Sequence, residues 1–101
     1  MTNQLTLLTT AILLLTACAA APVQEMSDAR QAIDSAEAVG AAQRSPKTLS
    51  AARRLLQEAQ AQLEAGAYGD ARRHALDARE EAIRAREQAV QTTTLRPAAS
   101  P

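Results

Sequence analysis

Small and aliphatic side chains recur three and four residues apart in three segments of the chain, the spacing of one face of an α-helix. We therefore expect an all-α fold with helices over about residues 24–39, 46–65 and 69–91. The positions that form these three faces are Met26, Ala29, Ile33, Ala36 and Gly40; Leu49, Ala52, Leu56, Ala59, Leu63 and Gly66; and Ala71, Ala75, Ala78, Ala82, Ala85 and Ala89.

Glycine, serine and proline mark the ends of these segments. Gly40 and Gly66 stand where a helix is expected to stop. Ser45 followed by Pro46 predicts an N-cap and the first position of the second helix. Residues 41–44 are then a loop. Thr92-Thr93-Thr94 ends the periodicity, and residues 92–101 are expected to be a disordered tail.

The third segment has alanine at every position of its seam, which lets another helix backbone approach closely. Because the turn at residues 66–69 is short, the second and third helices should form an antiparallel hairpin. The first helix should pack against it to give a small three-helix bundle. Leu76, Ile83 and Val90 recur every seven residues beside the seam, and surface i,i+4 ion pairs are expected for Arg30–Asp34, Arg54–Glu58 and Glu80–Arg84.

Residues 1–17 contain no charged side chain, and Leu5 to Leu15 form an apolar run. The run is shorter than the about 20 residues that a membrane-spanning helix needs. A short N-terminal apolar run that ends in small residues is typical of a secretory signal. The alternative is a buried helix, with Cys18, the only cysteine, as an ordinary apolar residue.

The motif Leu15-Thr16-Ala17-Cys18 resembles the bacterial lipobox, an aliphatic residue and two small residues before a cysteine. The resemblance implies that residues 1–17 are a cleaved lipoprotein signal, that Cys18 is lipid-modified, and that residues 18–23 are a tether. Two or more acyl chains give stable membrane anchoring. Ala19, in place of an inner-membrane-retention aspartate, implies an outer-membrane lipoprotein that faces the periplasm.

Composition limits the stability of the helical domain, residues 24–91. After residue 17 the chain has 23 alanines and 13 larger apolar residues. A core of this size rarely supplies more than about 3–5 kcal/mol without a disulfide or metal. Close helix contact, self-association or a partner protein would each add to it.

Charge argues against a nucleic-acid partner. The chain has 11 basic and 11 acidic residues and a single aromatic residue, Tyr68. Nucleic-acid binding usually needs a clustered basic patch and aromatic stacking partners. We expect no nucleic-acid partner.

The turn between the second and third helices, Leu63 to Ala78, resembles the inter-helix turn of tetratricopeptide repeats. By that resemblance Gly66 ends one helix, Tyr68 fills the gap between helices, and Gly69 lies in the helix turn. A full repeat is not present. Tyr68 has two interpretations, a wedge between the helices or an exposed aromatic anchor for a partner.

A longer resemblance, over Glu25 to Val90, is to a bacterial envelope family known as domain of unknown function 4398. It rests on Ala29-Arg-Gln-Ala-Ile33, on Pro46-x-x-Leu49-x-x-Ala52 and on Leu63-x-x-Gly66-x-Tyr68-x-x-Ala71-Arg72. The resemblance implies an exported helical protein, often a lipoprotein, and it implies no known activity.

The sequence offers no complete set of catalytic or metal-binding residues. His74 with Asp70 and Asp77 suggests a metal face or an acid/base pair, but zinc sites need three or four protein ligands. The alternative is a solvated histidine. We expect no metal, no cofactor, no small-molecule substrate and no enzymatic activity, since a catalytic pocket needs concavity and a supporting shell.

Arg72, Arg79 and Arg86 are spaced by seven residues, as are Glu80 and Glu87. This spacing is typical of the charged flanks of a coiled coil. The arginines therefore form a possible partner face, and a merely solvated surface is the alternative.

Three functions are compatible with these features. The first is a non-catalytic, lipid-anchored cell-envelope protein with a helical protein–protein interaction or adaptor module, its partner another envelope protein or a second copy. The second is an envelope-structural tether that contacts peptidoglycan. The third is an accessory regulator of a cell-wall or secretion enzyme.

Overall fold

The structure is a computed structural model that describes residues 21–95. The predicted signal, Cys18 and the tail after residue 95 lie outside the described residues. The helices are α1 (Val23–Ala38), α2 (Ala41–Arg44), α3 (Pro46–Glu64) and α4 (Tyr68–Leu95). Residues 21–95 contain no strand. The predicted all-α class and the three long helices are confirmed.

The loop predicted for residues 41–44 is wrong, because these residues form the single helical turn α2. Gly40 adopts a left-handed φ of 85° and its N–H donates to Glu37 O at 3.0 Å, which ends α1. The Gly40 carbonyl then accepts the N–H groups of Gln43 and Arg44 at 3.1 and 3.0 Å, which begins α2. Four residues are too few to show a periodicity, so the pattern gave no signal for this turn.

Helix α4 packs against α1 on one side and α3 on the other. Near the start of both helices, Arg72 Nε of α4 lies 3.3 Å from Glu25 Oε1 of α1. These two helices therefore run in the same direction. Thr48 Oγ1, at the start of α3, donates to Gln88 Oε1 near the end of α4 at 2.7 Å. Helix α3 therefore runs opposite to both, as the predicted hairpin requires.

The alanine seam of α4 is confirmed, since all six of its alanines are fully buried. Four of them pack with buried residues of α1, α2 and α3 in two groups. One contains Ile33, Ala36, Ala41, Leu49, Ala52, Ala82, Ala85 and Ala89. The other contains Met26, Ala59 and Ala75. Leu56 and Leu63 are only partly buried at the edge of this core.

Ser45 occupies the N-cap position before Pro46, but its side chain does not cap the helix. The buried hydroxyl donates instead to Ala85 O of α4 at 2.6 Å. The predicted boundary is correct and the predicted role of the hydroxyl is wrong. The close approach of α3 to the alanine seam brings a mid-helix carbonyl within reach.

Helix α4 continues four residues past the predicted end at residue 91. The hydroxyls of Thr92, Thr93 and Thr94 donate to carbonyl oxygens four residues earlier, at 2.8, 3.0 and 2.9 Å. Such back-bonds let threonine remain helical. The end of an apolar seam is therefore not the end of this helix.

Of the three surface ion pairs expected, only Arg54–Glu58 forms, at 3.4 Å. Arg84 pairs with Glu81, three residues earlier on α4, and not with Glu80, four residues earlier. Arg30 Nη2 donates to Gln60 Oε1 of α3 at 3.4 Å, and not to Asp34. Other polar residues close in space thus bind Arg84 and Arg30 in place of the residues that i,i+4 spacing predicts.

Candidate interaction surface

The predicted lipidation site and its cleavage motif, Leu15, Thr16, Ala17 and Cys18, lie outside the described residues. The described part of the chain begins at Ala21, two residues before the start of α1. Residues of the turn and of α4, which were also singled out from the sequence, are all described.

Gly66 ends α3 by the hydrogen-bond pattern of a Schellman motif. Its φ is 80°, its N–H donates to Leu63 O at 3.1 Å, and the Ala67 N–H donates to Gln62 O at 2.8 Å. Gly69 lies in the first turn of α4 without a positive φ. The two glycines of the turn therefore have different roles, and only Gly66 needs its left-handed conformation.

Tyr68 is the first residue of α4 and is 41% exposed. The residue lies at the end of the bundle where α3 turns into α4.

Arg72, Arg79 and Arg86 follow one side of α4, and the structure shows that this side is the one toward α1. Arg72 is used within the chain, in the ion pair with Glu25. Arg79 and Arg86 line an open groove between α1 and α4, together with Ile83 and with residues of α1, which are Asp28, Gln31, Ala32 and Ser35.

Three aliphatic residues of α4 also belong to this surface, although the sequence did not mark them as site residues. Leu76 is 43% exposed, Ile83 38% and Val90 44%. We call this set the aliphatic stripe. Its seven-residue spacing was visible in the sequence, but spacing alone does not say whether a second apolar row faces the core or the solvent.

The aliphatic stripe is bordered by two arginines on one side and two glutamates on the other. Arg79 and Arg86, the arginine flank, lie on the side toward α1. Glu80 and Glu87, the glutamate flank, lie on the other side. Each of these residues is three residues from one member of the stripe and four from the next, so the flanks run beside it along the whole length.

The two flanks have no internal charge partner in the described part of the chain. All four side chains are exposed, and none forms an ion pair with another residue of the described range 21–95. Three other arginines of α4 do have a partner within the chain: Arg72 pairs with Glu25, Arg73 with Asp70 and Arg84 with Glu81.

His74 joins α4 to α3 by polar contacts. Its Nδ1 lies 2.7 Å from Gln62 Oε1 and 3.1 Å from Asp70 O, and its Nε2 lies 3.4 Å from Glu58 Oε2. The Asp70 carboxylate pairs with Arg73 instead of His74. The arrangement links the two helices of the hairpin. No group of three or more metal-ligating side chains converges among residues 21–95.

A second groove lies between α1 and α3, lined in part by Ile33, Leu56 and Asp34. Arg53 Nη2 of α3 lies 2.6 Å from Glu37 Oε1 of α1 across this groove. Its charges are thus partly matched within the chain, in contrast to the flanks on α4.

None of the helices in residues 21–95 combines the length and apolar composition of a membrane span. Neither the curated proteins nor the solved structures contain a match to this chain. A family model does match, over residues 24–98, which include every helix of the bundle apart from the first residue of α1. The chain therefore belongs to the family described as Domain of unknown function (DUF4398).

Proposed function

We propose that this protein is a non-catalytic, lipid-anchored protein of the bacterial cell envelope whose helical bundle binds another protein through helix α4. The anchor is a lipid on Cys18, and the bundle faces the periplasm from the outer membrane. No cofactor, small-molecule substrate or nucleic acid takes part.

The observation that carries this proposal is that the small apolar side chains of α4 are buried and its large ones are exposed. The buried side of the helix consists of alanines, whereas its larger aliphatic side chains, Leu76, Ile83 and Val90, lie on the solvent side. Exposed aliphatic residues that recur along one helix face, with charges beside them, are a feature of helix faces that pack against a partner.

The anchor rests on the resemblance of Leu15-Thr16-Ala17-Cys18 to a lipobox. A lipid on Cys18 would hold the bundle at the membrane surface through the few residues before α1. Ala19, the residue after the cysteine, supports outer-membrane sorting by the same resemblance.

The anchor is tested by growing cells with a radioactive fatty acid and isolating the full-length protein. We expect label on the wild type and none on Cys18→Ser, with Ser27→Ala, which leaves the cysteine intact, as the matched control. Equal labelling of wild type and Cys18→Ser would refute the anchor. Recovery of the labelled protein only in inner membranes would refute outer-membrane sorting.

The interaction is tested with a photo-activated cross-linking amino acid at position 83 of the full-length chain in cells. The same amino acid at position 50, exposed on α3, is the control. We expect a discrete adduct from position 83 and none from position 50. Equal or absent adducts at both positions would refute an interaction through α4.

A further inference from the structure

We propose that the partner of helix α4 is a second copy of this chain, packed with the two α4 helices parallel and in register. The inference rests on the proposed function in that it names the partner of the same surface. Its own support is the order of charges around the aliphatic stripe.

The stripe and its flanks form one continuous surface. A helix turns about 100° per residue, so seven residues bring the chain back to nearly the same angle. Leu76, Ile83 and Val90 therefore follow one line, about 10 Å apart at 1.5 Å per residue. The arginine flank and the glutamate flank lie about 50° to either side of that line.

The orientation of the pair follows from which flanks meet. In a parallel pair of helices, the left flank of one helix faces the right flank of the other, whereas in an antiparallel pair each flank faces its own kind. Parallel packing therefore sets the arginine flank of each copy against the glutamate flank of the other. Antiparallel packing would set arginine against arginine and glutamate against glutamate.

When the two helices are in register, the oppositely charged residues that face each other lie at nearly the same level along the helix axis. Arg79 and Glu80 are neighbours in sequence, so Glu80 of one copy lies level with Arg79 of the other, about 1.5 Å apart along the axis. Arg86 and Glu87 repeat the arrangement one heptad later. Four intermolecular ion pairs thus use four charges of each copy that have no ion-pair partner within residues 21–95.

The heptad before these matched pairs holds two arginines, Arg72 and Arg73, which would meet across a parallel contact. Both are already neutralised within their own chain, Arg72 by Glu25 and Arg73 by Asp70. The internal ion pairs therefore reduce the repulsion between Arg72 and Arg73 of the two copies in the parallel register.

The size of the surface fits a dimer that is assisted by the membrane. Three partly exposed aliphatic side chains bury less than the about 800 Å² per partner of a stable interface in solution. Two copies anchored by their N-termini in one membrane have a raised effective concentration. A common anchor also gives both copies the same direction, which parallel packing requires.

Disulfide cross-linking of the full-length chain in the bacterial envelope tests this geometry. Leu76→Cys and Val90→Cys are expressed separately, with Ser50→Cys on α3 and the unsubstituted chain as controls for background from Cys18. Under mild oxidation we expect Leu76→Cys alone and Val90→Cys alone each to give several-fold more dimer than the controls.

Three outcomes would overturn the proposal: no dimer above the controls, dimer only when Leu76→Cys and Val90→Cys are expressed together, or an adduct with a different protein. The second outcome would indicate an antiparallel pair, and the third a hetero-partner. Fatty-acid labelling of the same variants separates the two proposals. Label without dimer refutes the pairing and keeps the anchor, whereas dimer without label does the reverse.

Discussion

At the scale of single residues, the two glycines of the turn between α3 and α4 should respond oppositely to the same substitution. Gly66→Ala should destabilise the bundle by about 1–2 kcal/mol, because a φ of 80° is costly for a residue with a Cβ. An added Cβ meets no atom within 4 Å at either position. Gly69→Ala should therefore stabilise the bundle, by up to about 1 kcal/mol, through its higher helix propensity.

Thermal or urea unfolding of a soluble chain that begins at Ala19 measures both glycine variants. Because space is available at both positions, a difference in sign isolates backbone conformation as the cause. Destabilisation of similar size at Gly66 and Gly69 would show that the turn does not have the conformation described.

Ser45 provides a second test at this scale. Ser45→Ala should cost about 1 kcal/mol, since it removes a buried hydrogen bond to Ala85 O. Ser45→Asp should cost more, because its carboxylate would be buried against a carbonyl oxygen. If the side chain acted as a helix cap, aspartate would substitute well for serine. Unfolding of both variants, with Ser50→Ala as the exposed control, separates these two roles.

At the scale of helices, the closeness of α4 to its neighbours depends on the alanine seam. Ala82→Leu should overpack the buried contact with α1 and α3 and cost about 1–3 kcal/mol. Ala61→Leu makes the same chemical change at an exposed position of α3 and should stay within about 0.5 kcal/mol. Unfolding midpoints that are equal for the two variants would mean that the seam is not tightly packed.

The helices were predictable from sequence to the extent that an apolar periodicity marked them. The seam of α4 and the stops at Gly40 and Gly66 follow from local pattern and backbone preference. Helix α2 and the extension to Leu95 do not, because one depends on a single turn after Gly40 and the other on hydroxyl back-bonds from Thr92 to Thr94.

The candidate surface was predictable only in part, because exposure is a tertiary property. The seven-residue spacing of Arg72, Arg79 and Arg86 identified one side of α4. It could not show that Arg72 forms an ion pair with Glu25, a residue 47 positions away in the chain. Nor could it show that Leu76, Ile83 and Val90 stay exposed while the buried apolar residues of α4 are all alanines.

At the scale of the whole molecule, the bundle has a thin core and an unmatched charged surface along its longest helix. The core is built mostly from alanines, which bury little area and contribute correspondingly little at about 25 cal/mol per Å². Association through α4 would cover the aliphatic stripe, and dimerisation stabilises the folded chain by mass action. The surface of α4 that binds the partner would therefore also stabilise the fold.

The most direct test of this account is charge reversal on the two flanks, read out by co-isolation of two differently tagged full-length copies. One variant, Glu80→Arg with Glu87→Arg, has arginine on both flanks. The other, Arg79→Glu with Arg86→Glu, has glutamate on both. Circular dichroism of each confirms that the helical fold is kept.

We expect wild-type copies to co-isolate and each variant to lose association with itself, because like charges then meet on both sides of the stripe. The two variants mixed together should co-isolate again, since every arginine then faces a glutamate. Self-association that is unchanged in either variant, or pairing that is not restored in the mixture, would contradict the account.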